Sequence, residues 1–185
     1  MKTLTSLVLV LLLSGSAIAD EIDFSFNSDA FRFVYAHDFE SNDLRSDFGL
    51  LTTDDEGWIA TTSLYLTGAA SEGNNPLEAG IGGRTGWVEG DLSKQSGLPL
   101  ALGGFLKYTL PRFNRVSLRG EAWFAPDILS FGDLERYQDY SVRIGYNVLK
   151  QADIYLGYRY VKGHFSKAPS AEFDDKAHLG ISIRF

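Results

Sequence analysis

Apolar and polar residues alternate one by one along most of the chain. In the last stretch, Ala177, Leu179, Ile181, Ile183 and Phe185 interleave with Lys176, His178, Gly180, Ser182 and Arg184. A period of two places the two sets on opposite faces of a β-strand. Earlier stretches read the same way, at 22–26, 31–36, 44–50, 58–66, 77–87, 98–110, 116–124, 140–148 and 154–160. Turn chemistry separates several of them, as in Asn27-Ser28-Asp29, Asp54-Asp55-Glu56-Gly57 and Pro111-Arg112-Phe113-Asn114. Polar loops are expected over 89–97, 126–137 and 166–175.

The pattern predicts an all-β fold, a single antiparallel up-and-down transmembrane β-barrel of about ten strands. Eight is the fallback count, because the first two stretches are short. Lipid would touch the apolar face and the lumen the polar face, while the last strand closes on the first and leaves no free edge. With the last strand ending on the periplasmic side, short turns fall inside and longer loops outside. The alternative is a soluble periplasmic β-sandwich binding protein with the last stretch, 176–185, as an edge strand.

The first 19 residues carry a different pattern. Lys2 precedes the apolar run Leu7-Val8-Leu9-Val10-Leu11-Leu12-Leu13, and Ser14-Gly15-Ser16-Ala17-Ile18-Ala19 closes in small residues. That is the layout of a secretory signal peptide, with a cut expected after Ala19. The run is too short for a helical span, which needs about 20 residues. Residues 20–185 would form the barrel in the cell outer membrane of a Gram-negative envelope.

Removing residues 1–19 leaves 166 residues (185 − 19) and moves the net charge from −7 to −8, because Lys2 is the one charge lost. An acidic chain lacks the basic footprint that nucleic acid requires, so no nucleic-acid partner is expected. There is no cysteine, so the fold has no disulfide to hold it. Aromatics make up 14% of the chain, which suits interfacial girdles. The candidates are Trp58, Trp87, Tyr108, Tyr140, Tyr146, Tyr158 and Tyr160, together with Trp123, which sits on the inward register.

On this register the lumen holds a polar network of Arg45, Asp47, Glu78, Arg84, Lys107, Arg119, Glu121, Arg143, Arg159 and Arg184, with Asp23, Arg32 and His178 on the same face. Such charges must pair or meet water. Glu121 with Arg119 or Arg143, and Glu78 with Arg84, are plausible pairs. A lumen filled by paired charges is favoured over a narrow Arg-lined pore, since bulky Phe105, Trp123 and Tyr155 also point inward. A general porin needs roughly 16–18 strands.

Other chemistry is sparse. The histidines 37, 164 and 178 lack metal-ligand spacing, and neither a metal nor a cofactor is expected. Gly80-Ile81-Gly82-Gly83-Arg84-Thr85-Gly86 lacks the ending of a phosphate loop, and barrel curvature accounts better for its glycines. The acidic groups Asp54-Asp55-Glu56 and Glu172/Asp174/Asp175 read as solvated loop tips, with a hard cation as the alternative. His164-Phe165-Ser166 with Glu172 resembles the His-x-Ser arrangement of PagL-type lipid A deacylases, which are small barrels. That resemblance would imply a lipid-modifying hydrolase. Lys167 replaces the Asn that should follow the Ser, and Glu172 follows Ser166 too closely, so no enzyme is expected.

The stretch Gly120-Glu121-Ala122-Trp123-Phe124-Ala125-Pro126-Asp127-Ile128-Leu129-Ser130-Phe131-Gly132, then Arg143-Ile144-Gly145-Tyr146 and Gly157-Tyr158-Arg159-Tyr160, resembles the YfaZ family of small exported proteins. The similarity is clear over 115–185. It implies an outer-membrane barrel with no assigned reaction. The expected partners are outer-membrane lipids and, through Leu179, Ile181, Ile183 and Phe185 of the last strand, the barrel-assembly machinery. The expected role is structural or surface-binding, or that of a very narrow channel.

Overall fold

A computed structural model describes residues 20–39, 43–69, 76–91, 94–166 and 169–185. The signal-peptide reading and its cut site lie outside the described residues. The elements are β1 (Asp20–Phe26), β2 (Ala30–Phe39), β3 (Leu44–Thr53), β4 (Gly57–Ala69), β5 (Leu77–Gly90), β6 (Gln95–Thr109), β7 (Val116–Ala125), a 3₁₀ turn (Asp127–Leu129), β8 (Ser130–Gly132), β9 (Leu134–Leu149), β10 (Ala152–Phe165) and β11 (Ala171–Arg184).

Ten of these strands close into an antiparallel barrel. β1 pairs with β11, Phe24 opposite Ile181, and β5 pairs with β6 to complete the ring. The ten-strand count holds and the fallback of eight does not. The short β8 is an extra strand that pairs with β6 where β7 has ended, Leu98 opposite Phe131. The Asp20 and Phe185 backbones exchange hydrogen bonds at 2.9 and 3.0 Å, so the first and last strands meet at one end, called here the near end.

The outer wall is apolar across the middle of the barrel. Ile81, Leu102, Leu106, Val142, Leu156 and Leu179 all stand exposed on it. On β5 the outward face runs from Leu77 to Trp87, about 33 Å along the strand and about 25 Å of height at barrel tilt, the thickness of a membrane band. No helix among the described residues is long and apolar enough to cross a membrane. The barrel wall is the membrane-spanning element.

Toward the far end the polarity of the strands inverts. On β9, Tyr140, Val142, Ile144 and Tyr146 face out with Arg143 inward, but nearer the far end Arg136 and Gln138 face out while Tyr137 and Leu134 are buried inside. β10 does the same: Ile154, Leu156 and Tyr158 lie outside in the band, and Val161 and Phe165 lie inside beyond it. On β11 a bulge opposite Val161/Lys162 lets both Phe173 and Asp174 face inward. These inward apolar groups join Ala30, Leu51, Ile59, Val88, Ala101, Ala125 and others in one buried cluster that draws on every barrel strand but β1. The far-end strands therefore behave as a soluble barrel does, oily inside and wet outside, standing above a band with the opposite arrangement.

This inversion corrects the expected loops. Residues 134–137 and 171–175 are strand, not loop, and the connection expected over 89–97 shrinks to 91–94. The far-end connections are then 27–29, 54–56, 91–94, 126–133 and 166–170, and the near-end ones 40–43, 70–76, 110–115 and 150–151. Loop length does not distinguish the two ends; strand overhang does.

Candidate functional site: the lumen

Each expected lumen residue faces inward, and the barrel brings most of them into one network. Arg84, almost fully buried, donates to Glu121 at 2.7 Å, to Asp139 at 2.7 Å and to the Ser63 hydroxyl at 2.8 Å. Its guanidinium also lies over the Trp123 ring at 4.3 Å. Glu121 further accepts from Trp123 Nε1 at 2.8 Å and from Arg119 at 3.3 Å. Arg119 covers the Phe105 ring at 4.1 Å. Asp47 accepts from the Tyr65 hydroxyl and stands 3.8 Å from Arg84. Gly80, Gly82 and Gly86 serve this packing. At Gly82 a Cβ would lie 1.9 Å from the Leu64 carbonyl oxygen, so the close approach of β4 and β5 requires glycine there.

A second group bridges the closing strands. Arg143 on β9 donates to Asp23 on β1 at 2.7 Å, and the Tyr155 hydroxyl donates to the same carboxylate at 2.5 Å. Arg159 donates to Asp174 at 2.6 Å and to the Ser25 hydroxyl at 3.0 Å. Arg45 reaches Glu21 at 2.7 Å and Asp38 at 3.1 Å. Nearer the mouth, Lys107 sits 3.6 Å from Glu78 and Arg184 3.1 Å from Asp153. The Glu121–Arg119 contact is present. Glu78 faces Lys107 rather than Arg84, and Arg143 takes Asp23 rather than Glu121.

Of two further carboxylates central to the network, Asp174 falls in the loop expected over 166–175 and Asp139 between the loop expected over 126–137 and the strand expected from 140. With Glu172 and Asp175, Asp174 forms the acidic group expected as a solvated loop tip, with a hard cation as the alternative. The structure divides the three: Asp174 turns inward to Arg159, Glu172 binds Lys162 at 2.5 Å, and Asp175 accepts from the Tyr158 hydroxyl. Among the described residues no group of His, Cys, Asp or Glu is arranged to hold a metal ion.

Trp123 belongs to the lumen, fully buried against Tyr65, and not to an interfacial girdle. Tyr140 and Tyr160 stack directly across β9 and β10 on the outer wall with centroids 6.4 Å apart. Among the described residues no hydrogen bond joins the hydrolase candidates: His164 sits near the far end of β10 with Nδ1 unbonded, Ser166 lies past the strand in a turn, and Glu172 is held by Lys162. At the far-end turn, burial together with neighbouring Asp55 and Glu172 holds the Glu56 carboxyl above its ordinary range.

The space left in the lumen is small. A cavity of about 60 Å³ lies among Asp23, Arg32, Arg84, Arg143, Arg159 and His178. A smaller one of about 30 Å³ lies nearer the mouth and shares Glu21, Arg45, Arg119, Arg143 and Tyr155 with it. On the far side the apolar cluster closes the barrel. Such space admits a few waters or a monatomic ion, not an organic solute.

The family model described as YfaZ precursor matches residues 1–185, the whole sequence. The chain belongs to the YfaZ precursor family. In this chain the stretch from Pro126 to Gly132 builds the far-end strap. Leu129 N–H and the Ser130 hydroxyl both donate to the Pro126 carbonyl, and Gly132 adopts φ +79° beside Ser96 as β8 joins β6. Among solved structures, the outer membrane channel DcaP of Acinetobacter baumannii is similar at 15% identity and TM-score 0.44, over 93% of this chain and 55% of that one. The YfaZ-family chain thus spans about half the length of that channel. The NanC porin is similar at 12% identity and TM-score 0.49, over 91% of this chain and 99% of that one. Among curated proteins no sequence matches.

Proposed function

We propose that this YfaZ-family barrel resides in the outer membrane as a non-conducting, non-enzymatic protein with a structural or surface-binding role. The observation that carries this reading is the buried apolar cluster across the far end of the lumen, drawn from all barrel strands but β1. A hydrated ion crossing it would shed its water against Leu51, Ile59, Val161 and Phe165, side chains that cannot replace it. The lattice of arginines and carboxylates beneath it supports the same reading, because nearly every guanidinium is committed to a carboxylate. The export-signal pattern of residues 1–19 supports an outer-membrane location. The apolar wall would meet outer-membrane lipids, and the last strand, with Leu179, Ile181 and Ile183 outward, would serve the assembly machinery. Planar-bilayer recording of the purified barrel tests the reading. It predicts no discrete conductance steps, and reproducible steps that change when Arg119 or Arg143 is neutralised would replace it with a narrow pore. Lipid A that changes on expression, and reverts in His164→Ala or Ser166→Ala, would replace it with the hydrolase.

A further inference from the structure

The larger lumen cavity has an uneven wall. Six guanidinium groups line it, those of Arg32, Arg45, Arg84, Arg119, Arg143 and Arg159, against four carboxylates, Glu21, Asp23, Asp47 and Glu121. The carboxylates that partner Arg32 and Arg159, namely Asp139 and Asp174, are not on the cavity wall; they hold these arginines from behind.

Arg159 is 1% exposed, donates through Nε to Asp174 and through Nη1 to Ser25, and leaves Nη2 without a partner among the described residues. His178, 4% exposed and on the same wall, leaves Nδ1 without one. Arg32 is the cross-strand neighbour of Ser25, so Arg32 and Arg159 flank one hydroxyl, and the nearest carboxylate to Arg32 is 3.6 Å away, beyond a hydrogen bond. The guanidinium groups of Arg32 and Arg159 thus converge on a buried space from β2 and β10, with the His178 ring on the same wall from β11. Leaving a buried N–H or a buried charge unsatisfied is costly.

We infer that the lumen binds a small monovalent inorganic anion of the halide class between Arg32, Arg159 and His178. The Ser25 oxygen already accepts from Arg159, and the carboxylates that balance Arg32 and Arg159, Asp139 and Asp174, stand behind them rather than in the cavity. A halide accepts from several donors at once and places negative charge on the cavity side of the two guanidinium groups. Its size fits a cavity of about 60 Å³ with room for water beside the unpartnered Asp47 Oδ1. Entry is from the near end, through the smaller cavity, because the far end is plugged. The site does not depend on whether the barrel conducts.

The test uses the folded barrel in detergent with chloride exchanged for isethionate, which is too large for the cavity, at fixed ionic strength. The melting temperature should rise with the logarithm of chloride concentration once the site begins to fill. That rise should be lost in Arg32→Gln, a mild change because Arg32 makes no carboxylate hydrogen bond. A melting temperature that ignores chloride, or an equal rise in Arg32→Gln, overturns the assignment. Crystals grown in bromide give a readout independent of any variant. An anomalous peak in contact with Arg159 Nη2 supports the site, and ordered water there without anomalous signal, or bromide only elsewhere, overturns it.

Discussion

Arg84 and Asp139 meet at 2.7 Å across the lumen although their strands, β5 and β9, are separated around the ring by β6 and β7. The contact closes a chord of the barrel rather than a rung of its ladder. Arg143 with Asp23 is a second chord, from β9 to β1 past β10 and β11. Each ties strands three steps apart around the ten-strand ring, so the lumen is a cross-braced interior.

Arg84→Met follows directly from that bracing. It leaves Glu121 and Asp139 buried without their main cation, and removal of one partner from a buried pair costs about 3–5 kcal/mol. Reversible urea unfolding in lipid vesicles should show that loss. The combined variant Arg84→Met/Asp47→Asn should recover part of it, since it removes one charge of each sign and leaves Glu121 with Arg119 and Asp139 with Arg32.

Gly180 and Tyr155 are coupled by shape. A Cβ on Gly180 would lie 2.2 Å from the Tyr155 ring, and the ring cannot swing aside without giving up its hydroxyl contact with Asp23. Gly180→Ala should therefore destabilise by about 1–3 kcal/mol, as overpacking does. In a Tyr155→Ala background the same substitution should be nearly neutral, which a double-mutant cycle would read.

Glu56 sets a pH dependence at the far-end rim, outside the membrane band. Its carboxyl is held above the ordinary range by burial first and by Asp55 and Glu172 second. A carboxyl raised in the folded state binds more protons there than in the unfolded chain. Stability is therefore lost as pH rises through the window between the two pKa values, and the penalty is full above it. Glu56→Gln should stabilise the barrel at neutral pH, and the gain should vanish as pH falls below the ordinary carboxylate range. Unfolding midpoints across that range check the sign.

The period-two pattern made the strands of the membrane band legible because lipid and lumen impose opposite demands on alternate residues. The inward position of Arg84, Glu121, Arg143 and Arg159 follows from that parity alone. Parity does not say which carboxylate an arginine meets, because chords such as Arg84–Asp139 depend on barrel curvature. The far-end overhang is hidden in the sequence for a different reason. There Glu135, Arg136, Glu172 and Asp175 face water, and a strand with its charges outward looks like a loop to a reader expecting lipid. Phe165 and Phe173, set two residues or so inside such charges, were the available signal for an apolar plug.

The most direct test places single cysteines along β9, which the cysteine-free sequence permits without background. Each site carries an environment-sensitive probe and is read against a quencher fixed on lipid acyl chains. The account predicts strong quenching at 142, 144 and 146, weak quenching at 141 and 143, and none at 136 and 138, where the same outward face has left the membrane. Quenching at 136 and 138 equal to that at 142 and 144 would contradict the inversion of polarity, and no quenching anywhere along the strand would contradict the membrane-spanning barrel itself.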